Sequence, residues 1–178
     1  MHKLLLSLLF SVFMISCKKE ETLDQNKVIH HKIDGIYLLN SAFTSNAVDL
    51  NQDGVALNDM IREIPNIKNS NIEIKVTSTF MYFYMLWPEQ DTRQFPSNYW
   101  YEKAVYAKMN FDEHNNQLLI EKKTDDAVTG WYPPQEAYFQ NDKIRMKMKR
   151  TLLTKTGMKE VIIDATYVKM PEYKSEYR

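Results

Sequence analysis

The sequence is short of most of the parts from which enzymes and disulfide-built domains are made. Its 178 residues contain one cysteine, Cys17, so no internal disulfide can form. Histidine is sparse. His30 and His31 are adjacent, and neighbours in an extended chain point to opposite faces, which keeps them off a common metal. His114 lies among Asn and Glu in a stretch that reads as a hairpin turn. There is no G-x-S-x-G elbow and no phosphate-cradling glycine loop. The only glycines are Gly35, Gly54, Gly130 and Gly157, each expected at a turn or a close backbone approach. Neither sign of charge prevails, because 23 basic and 23 acidic residues cancel. That balance removes the electrostatic footprint of a nucleic-acid binder. Paired carboxylates have no spacing that marks them for acid–base work. The expectation is a protein that binds rather than one that catalyses.

What is present begins with the leader. His2 and Lys3 open it, a 12-residue run poor in polar groups follows from Leu4 to Ile15, and Ser16-Cys17 ends it. As a helix that run reaches only ~18 Å, against ~30 Å of bilayer hydrocarbon. Its shape is that of a secretion signal with a small residue at the cleavage point. Met14-Ile15-Ser16-Cys17 resembles the lipobox of bacterial lipoproteins. The resemblance implies that residues 1–16 are removed and that the Cys17 thiol is acylated with palmitate-type chains, tethering the protein to a lipid bilayer. Firm anchoring takes about two acyl chains. Lys18-Lys19-Glu20-Glu21 directly behind resembles the surface-export signal of Bacteroidota lipoproteins. It implies the outer membrane, with the cell surface favoured over the periplasmic face.

Cleavage leaves 162 residues, enough for one domain. Residues 17–31 read as the lipidated cysteine and a solvated leash, residues 32–172 as the folded domain, and residues 173–178 as a polar tail. The protein is expected to be a monomer.

Asp49-Leu50-Asn51-Gln52-Asp53-Gly54 is the sharpest local motif. Oxygen-bearing side chains at alternate positions followed by a glycine form the first half of a calcium loop. Asp49, Asn51, Asp53 and the Val55 carbonyl are its candidate ligands, and Ca²⁺ is the one cofactor the sequence raises. The bidentate Glu of an EF-hand is missing, since the twelfth position is Met60. The other reading is a set of Asx turns leading into a short helix, capped by Asn58 and ending near Ile64 before Pro65.

Ile72, Ile74 and Val76 alternate with polar residues, as do Val105, Ala107 and Met109, then Ile144, Met146 and Met148. This is the period of half-buried strands. Phe80 to Trp87 is apolar throughout, which predicts a strand covered on both faces, one by the interior and one by the short helix. Residues 88–98 and 124–136 read as long loops, and Asn141-Asp142 as a two-residue hairpin turn. Eight or nine strands with one short helix fit an antiparallel up-and-down barrel; a β-sandwich is the alternative. Gly35-Ile36-Tyr37 resembles the G-x-W start of lipocalin-type barrels, with Tyr37 in the tryptophan place. The D-x-N-x-D-G segment, a short helix, Glu63-Ile64-Pro65 and a following N-x-x-I run resemble lipocalin-like lipoproteins of Bacteroidota over residues 33–87. That resemblance implies a lipocalin-like barrel.

Nine of the 22 aromatic residues fall between Phe80 and Tyr101. In a meander the 88–98 and 124–136 loops share one end. Trp87, Phe95, Trp100, Trp131 and Tyr132 are therefore expected around one rim, together with the 154–157 turn, where a small apolar or sugar-like ligand would enter. Lys143 to Lys159 holds seven basic residues and no acidic one. Arg145, Lys147 and Lys149 read either as an anionic contact or as a solvated face balanced by Glu160 and Asp164. The alternative to a ligand-binding barrel is a filled one whose surface binds another envelope protein.

Overall fold

Alternation of apolar and polar residues becomes nine strands in the computed structural model, which describes residues 32–91, 99–121 and 133–171. They are β1 (Gly35–Val48), β2 (Leu57–Asp59), β3 (Asn71–Val76), β4 (Met81–Gln90), β5 (Trp100–Asp112), β6 (Gln117–Ile120), β7 (Glu136–Gln140), β8 (Lys143–Thr154) and β9 (Gly157–Lys169). Apart from β2, each pairs antiparallel with the next, and β9 returns to β1 from Tyr37 opposite Lys169 to Thr44 opposite Ile163. The result is an eight-stranded up-and-down barrel, with β2 added along the second half of β1. Closure excludes the sandwich, because it leaves no free sheet edge between β1 and β9. The closing pairs lie wholly within residues 35–169, so a chain from residue 18 onward keeps the entire paired unit.

The first strand runs to Val48, because β9 and then β2 supply partners along its second half. Three local expectations change. Pro88, expected in a loop, sits inside β4: the β3 ladder ends at Leu86, so the missing proline N–H falls where one neighbour is already absent. The short helix, α1 (Met60–Glu63), is capped by Asp59, whose carboxylate accepts from the Ile61 N–H at 3.0 Å. Asn58 turns instead to the Thr44 carbonyl, at 2.8 Å. Finally, α1 packs on β1 and β2 and leaves the outer face of β4 uncovered at its start. Phe80 and Tyr82 are exposed there, and Tyr84 lies against Tyr106 of β5 with ring centroids 4.6 Å apart.

The two ends of the barrel differ. At one end Phe139 meets Tyr37 and Phe111 edge-on, each at 6.3 Å, and Tyr37 donates to the Ile33 carbonyl at 2.6 Å. Lys169 lays its ammonium 5.9 Å from the Tyr37 ring centre, and Gly35 makes room for its stem: a Cβ there would meet Lys169 Cε at 2.9 Å. This end is filled.

Candidate functional site

At the other end the inward alternation changes chemistry. Phe83, Met85 and Trp87 continue to Glu89 on β4; Met109, Ala107 and Val105 continue to Lys103 on β5; Ile144, Met146 and Met148 continue to Arg150 on β8. Because β4 and β8 run one way and β5 the other, all three charges arrive at the same end. There they line a cavity of about 730 Å³ with Met60, Met85, Trp87, Val105 and Leu152 as its apolar walls. Lys103 pairs with Glu89 at 2.7 Å. Arg150 folds back into the barrel, donating to the Lys149 carbonyl at 2.8 Å and lying 3.8 Å from the Met148 sulfur. Burial pulls the Arg150 guanidinium below its ordinary range, with Glu89 and Tyr167 acting in the opposite sense.

The wall beside this cavity is incomplete among the described residues. The β5–β6 ladder stops at Met109 and the β7–β8 ladder at Lys147, so β5 before Lys108 and β8 beyond Lys147 are each paired on one side only. Pro133, Pro134, Gln135, Lys149 and Thr151 line this opening. Gln90 spans it. Its amide donates to the Leu153 carbonyl at 2.9 Å and accepts from the Leu153 N–H at 2.8 Å.

Of the aromatic residues expected at the rim, Trp87 and Trp100 line the cavity. Phe95, Trp131 and Tyr132 lie outside the described residues, although Pro133 and Pro134, which follow directly, line it too. Gln90 brings the end of β4 to the strand end that precedes the 154–157 turn. Trp100 also lines a separate outer cleft of about 320 Å³ with Pro65, Ser70 and Tyr99.

Arg145, Lys147 and Lys149 point outward. Lys147 pairs with Glu136 at 3.1 Å and Lys149 with Glu160 at 2.8 Å, and the Glu136 contact raises the Lys147 pKa. Only Lys149 reaches the cavity edge.

The calcium-like loop closes on its own backbone. Asp49 accepts from the Gly54 N–H at 3.1 Å, Asn51 from the Asp53 N–H at 3.0 Å, and Asp53 from the Val55 N–H at 2.7 Å. A cation does stand there: Lys155 donates to the Gln52 carbonyl at 2.8 Å and lies 3.8 Å from Asp49. Glu63, buried, accepts from the Leu50 N–H at 2.8 Å. Among the described residues no group of three or more His, Cys, Asp or Glu side chains is placed to hold a metal. Cys17 lies outside the described residues.

Sequence reasoning missed Glu89, Lys103, Arg150 and Gln90. The signal was available for the first three, since each is a charge in phase with an apolar alternation.

The sequence matches no protein-family model and no curated protein. Among solved structures, the barrel is similar to Japanin from Rhipicephalus appendiculatus bound to cholesterol, with 9% identity and a TM-score of 0.38. The match covers 78% of this chain and 75% of that one.

Proposed function

We propose that this chain is a membrane-tethered binding protein whose barrel takes up a small ligand, largely apolar, through its open end. One observation carries the reading: aromatic side chains fill one end of the barrel while the other opens onto a cavity of about 730 Å³, within the size of small-molecule sites. A barrel serving only as a scaffold would gain stability by filling that space with side chains. The polar groups inside are tied by ion pairs and hydrogen bonds, as in sites that orient a ligand. Nothing in this reading requires chemistry on the ligand, and binding rather than catalysis is the role it assigns.

The tether rests on the Ser16-Cys17 junction and the short apolar leader. Labelled palmitate should enter the wild-type protein and be absent from Cys17→Ser, which should leave the membrane fraction. Native mass spectrometry of the protein purified from its own membranes tests the ligand. A bound small molecule supports the reading, and an empty barrel that takes up nothing overturns it.

A second reading has its own observation. The outer stripe of Phe80, Tyr82, Tyr84 and Tyr106, with Lys108 5.3 Å from the Phe80 ring centre, is the kind of surface that docks an envelope protein. Crosslinking from position 82 in cells would identify that partner.

A further inference from the structure

The outer cleft of about 320 Å³, at the small end of ligand-site volumes, is a product of register. The β3 ladder begins with Asn71 opposite Leu86, while the β4–β5 ladder runs on to Gln90 opposite Trp100. Ahead of β3 the chain turns through Pro65, Asn66 and a 3-10 turn, Ile67–Asn69. The last residues of β4 therefore have no β3 beside them. The space left there is lined by Pro65, Asn66 and Ser70 from that connection and by Pro88, Tyr101 and Glu102 from the β4–β5 ladder.

Two kinds of group meet in this lining. Tyr99 and Tyr101 keep 64% and 39% of their surface exposed, and Trp100 stands between them in the chain. The polar groups are a hydroxyl, an amide and a carboxylate. Ser70 is 2% exposed; its N–H donates to the Ile67 carbonyl and its own carbonyl accepts from the Leu39 N–H. Its hydroxyl has no partner among the described residues, an exception that calls for an account. Asn66, at φ 61°, makes no side-chain cap bond to the turn it opens. Glu102 is the one charge in the lining among the described residues. A sugar ring answers both kinds of group. Its faces carry C–H groups, which aromatic rings attract, and its edge carries hydroxyls that both donate and accept. An anion would meet only the Glu102 carboxylate, and a plain hydrocarbon would leave the Ser70 hydroxyl buried without a bond.

We propose that the outer cleft is a second binding site, which takes a neutral pyranose unit of a saccharide. The ring stacks on the Tyr99–Tyr101 segment and presents its hydroxyl edge to Ser70, Asn66 and Glu102. The site lies beyond the barrel ligand proposed above and does not depend on it. Trp87, Pro88 and Trp100 are the residues that line both spaces, so they form the wall between them.

The isotope-labelled chain from Lys18 onward would be titrated with the methyl glycosides of glucose, galactose, mannose and N-acetylglucosamine, following amide chemical shifts. Sorbitol, which has the hydroxyls without the ring, and cyclohexylmethanol, which has the ring with one hydroxyl, are the controls. At least one glycoside should bind about tenfold tighter than either control and shift the amides of Asn66, Ser70 and Glu102. Ser70→Ala should weaken that glycoside about fivefold, the size of one hydrogen bond, and leave thermal stability equal or higher because the hydroxyl has no partner to lose. Tyr101→Ala should bring the glycoside down to the affinity of sorbitol, whereas Tyr101→Phe, which keeps the ring, should retain the preference. The wild-type shift map decides if a variant fails to fold. No glycoside binding, shifts confined to Thr151 and Leu152 in the barrel cavity, or affinity unchanged in both Ser70→Ala and Tyr101→Ala overturns the proposal. Each of these outcomes leaves the barrel ligand to its own test by mass spectrometry.

Discussion

Gln90 holds Leu153 by both backbone groups, 2.8 Å from its N–H and 2.9 Å from its carbonyl, across 63 residues of sequence. The two strand ends that frame the open side of the cavity are thereby tied by one side chain. Gln90→Ala should cost about 1–3 kcal/mol in urea unfolding, because two buried backbone groups lose their partner. Gln90→Glu should be at least as damaging, since a carboxylate cannot donate to the Leu153 carbonyl. Amide exchange at Leu153 should quicken in both, and unchanged exchange there would show that the tie is not made.

Lys155 stands beside the Asp49–Gly54 loop, 2.8 Å from the Gln52 carbonyl and 3.8 Å from Asp49. Removing it should expose the Asp49 carboxylate and the Gln52 carbonyl together. Calorimetric titration should find weaker Ca²⁺ binding in the wild type than in Lys155→Met. Equal affinity in the two proteins would show that the lysine and the metal do not compete. Stability should change by less than about 0.5 kcal/mol, because the Lys155 side chain is exposed and the contact is long.

Gly35 sits at φ +144° beneath the Lys169 stem. Gly35→Ala should destabilise by about 1–3 kcal/mol, through both the backbone conformation and the 2.9 Å approach to Cε. Adding Lys169→Ala should relieve the contact and leave the conformational cost, so the double variant should recover only part of the loss. Full recovery would place the entire effect in the lysine contact.

Tyr37 and Tyr167 have phenols pushed well above their ordinary range, chiefly by burial. The folded state keeps these protons where the unfolded chain, titrating near pH ~10, gives them up. Their contribution is therefore complete below about pH 10 and is lost as pH rises beyond it, at up to ~1.4 kcal/mol per pH unit for each group. Tyr167→Phe should remove one share of that slope. Because its hydroxyl has no partner among the described residues, the substitution should cost little or stabilise by up to about 1 kcal/mol. Tyr37→Phe should destabilise, since it loses the bond to Ile33. A slope unchanged in Tyr167→Phe would refute the assignment.

The barrel was legible wherever period two was clean. Ile72-Ile74-Val76 and Ile144-Met146-Met148 each named their inward face without help. Asn141 and Asp142, at φ 52° and 56°, made the tight turn their residue types call for. The capping of α1 was misplaced by one residue because Asn58 and Asp59 are both good caps, and only the nearby Thr44 carbonyl decided which was otherwise engaged. Pro88 argued for a loop because a sequence does not show that β3 stops two residues short of it.

The sequence by itself determined which side chains face inward, including Arg150, because alternation is a property of the extended chain and needs no partner. Tertiary structure alone decided that Glu89, Lys103 and Arg150 share one end, that the wall beside them is unpaired among the described residues, and that a cavity remains there. The physical reason is that each strand's facing is local, whereas depth along a barrel and the gaps in its wall depend on register and strand length set by residues far apart in the chain.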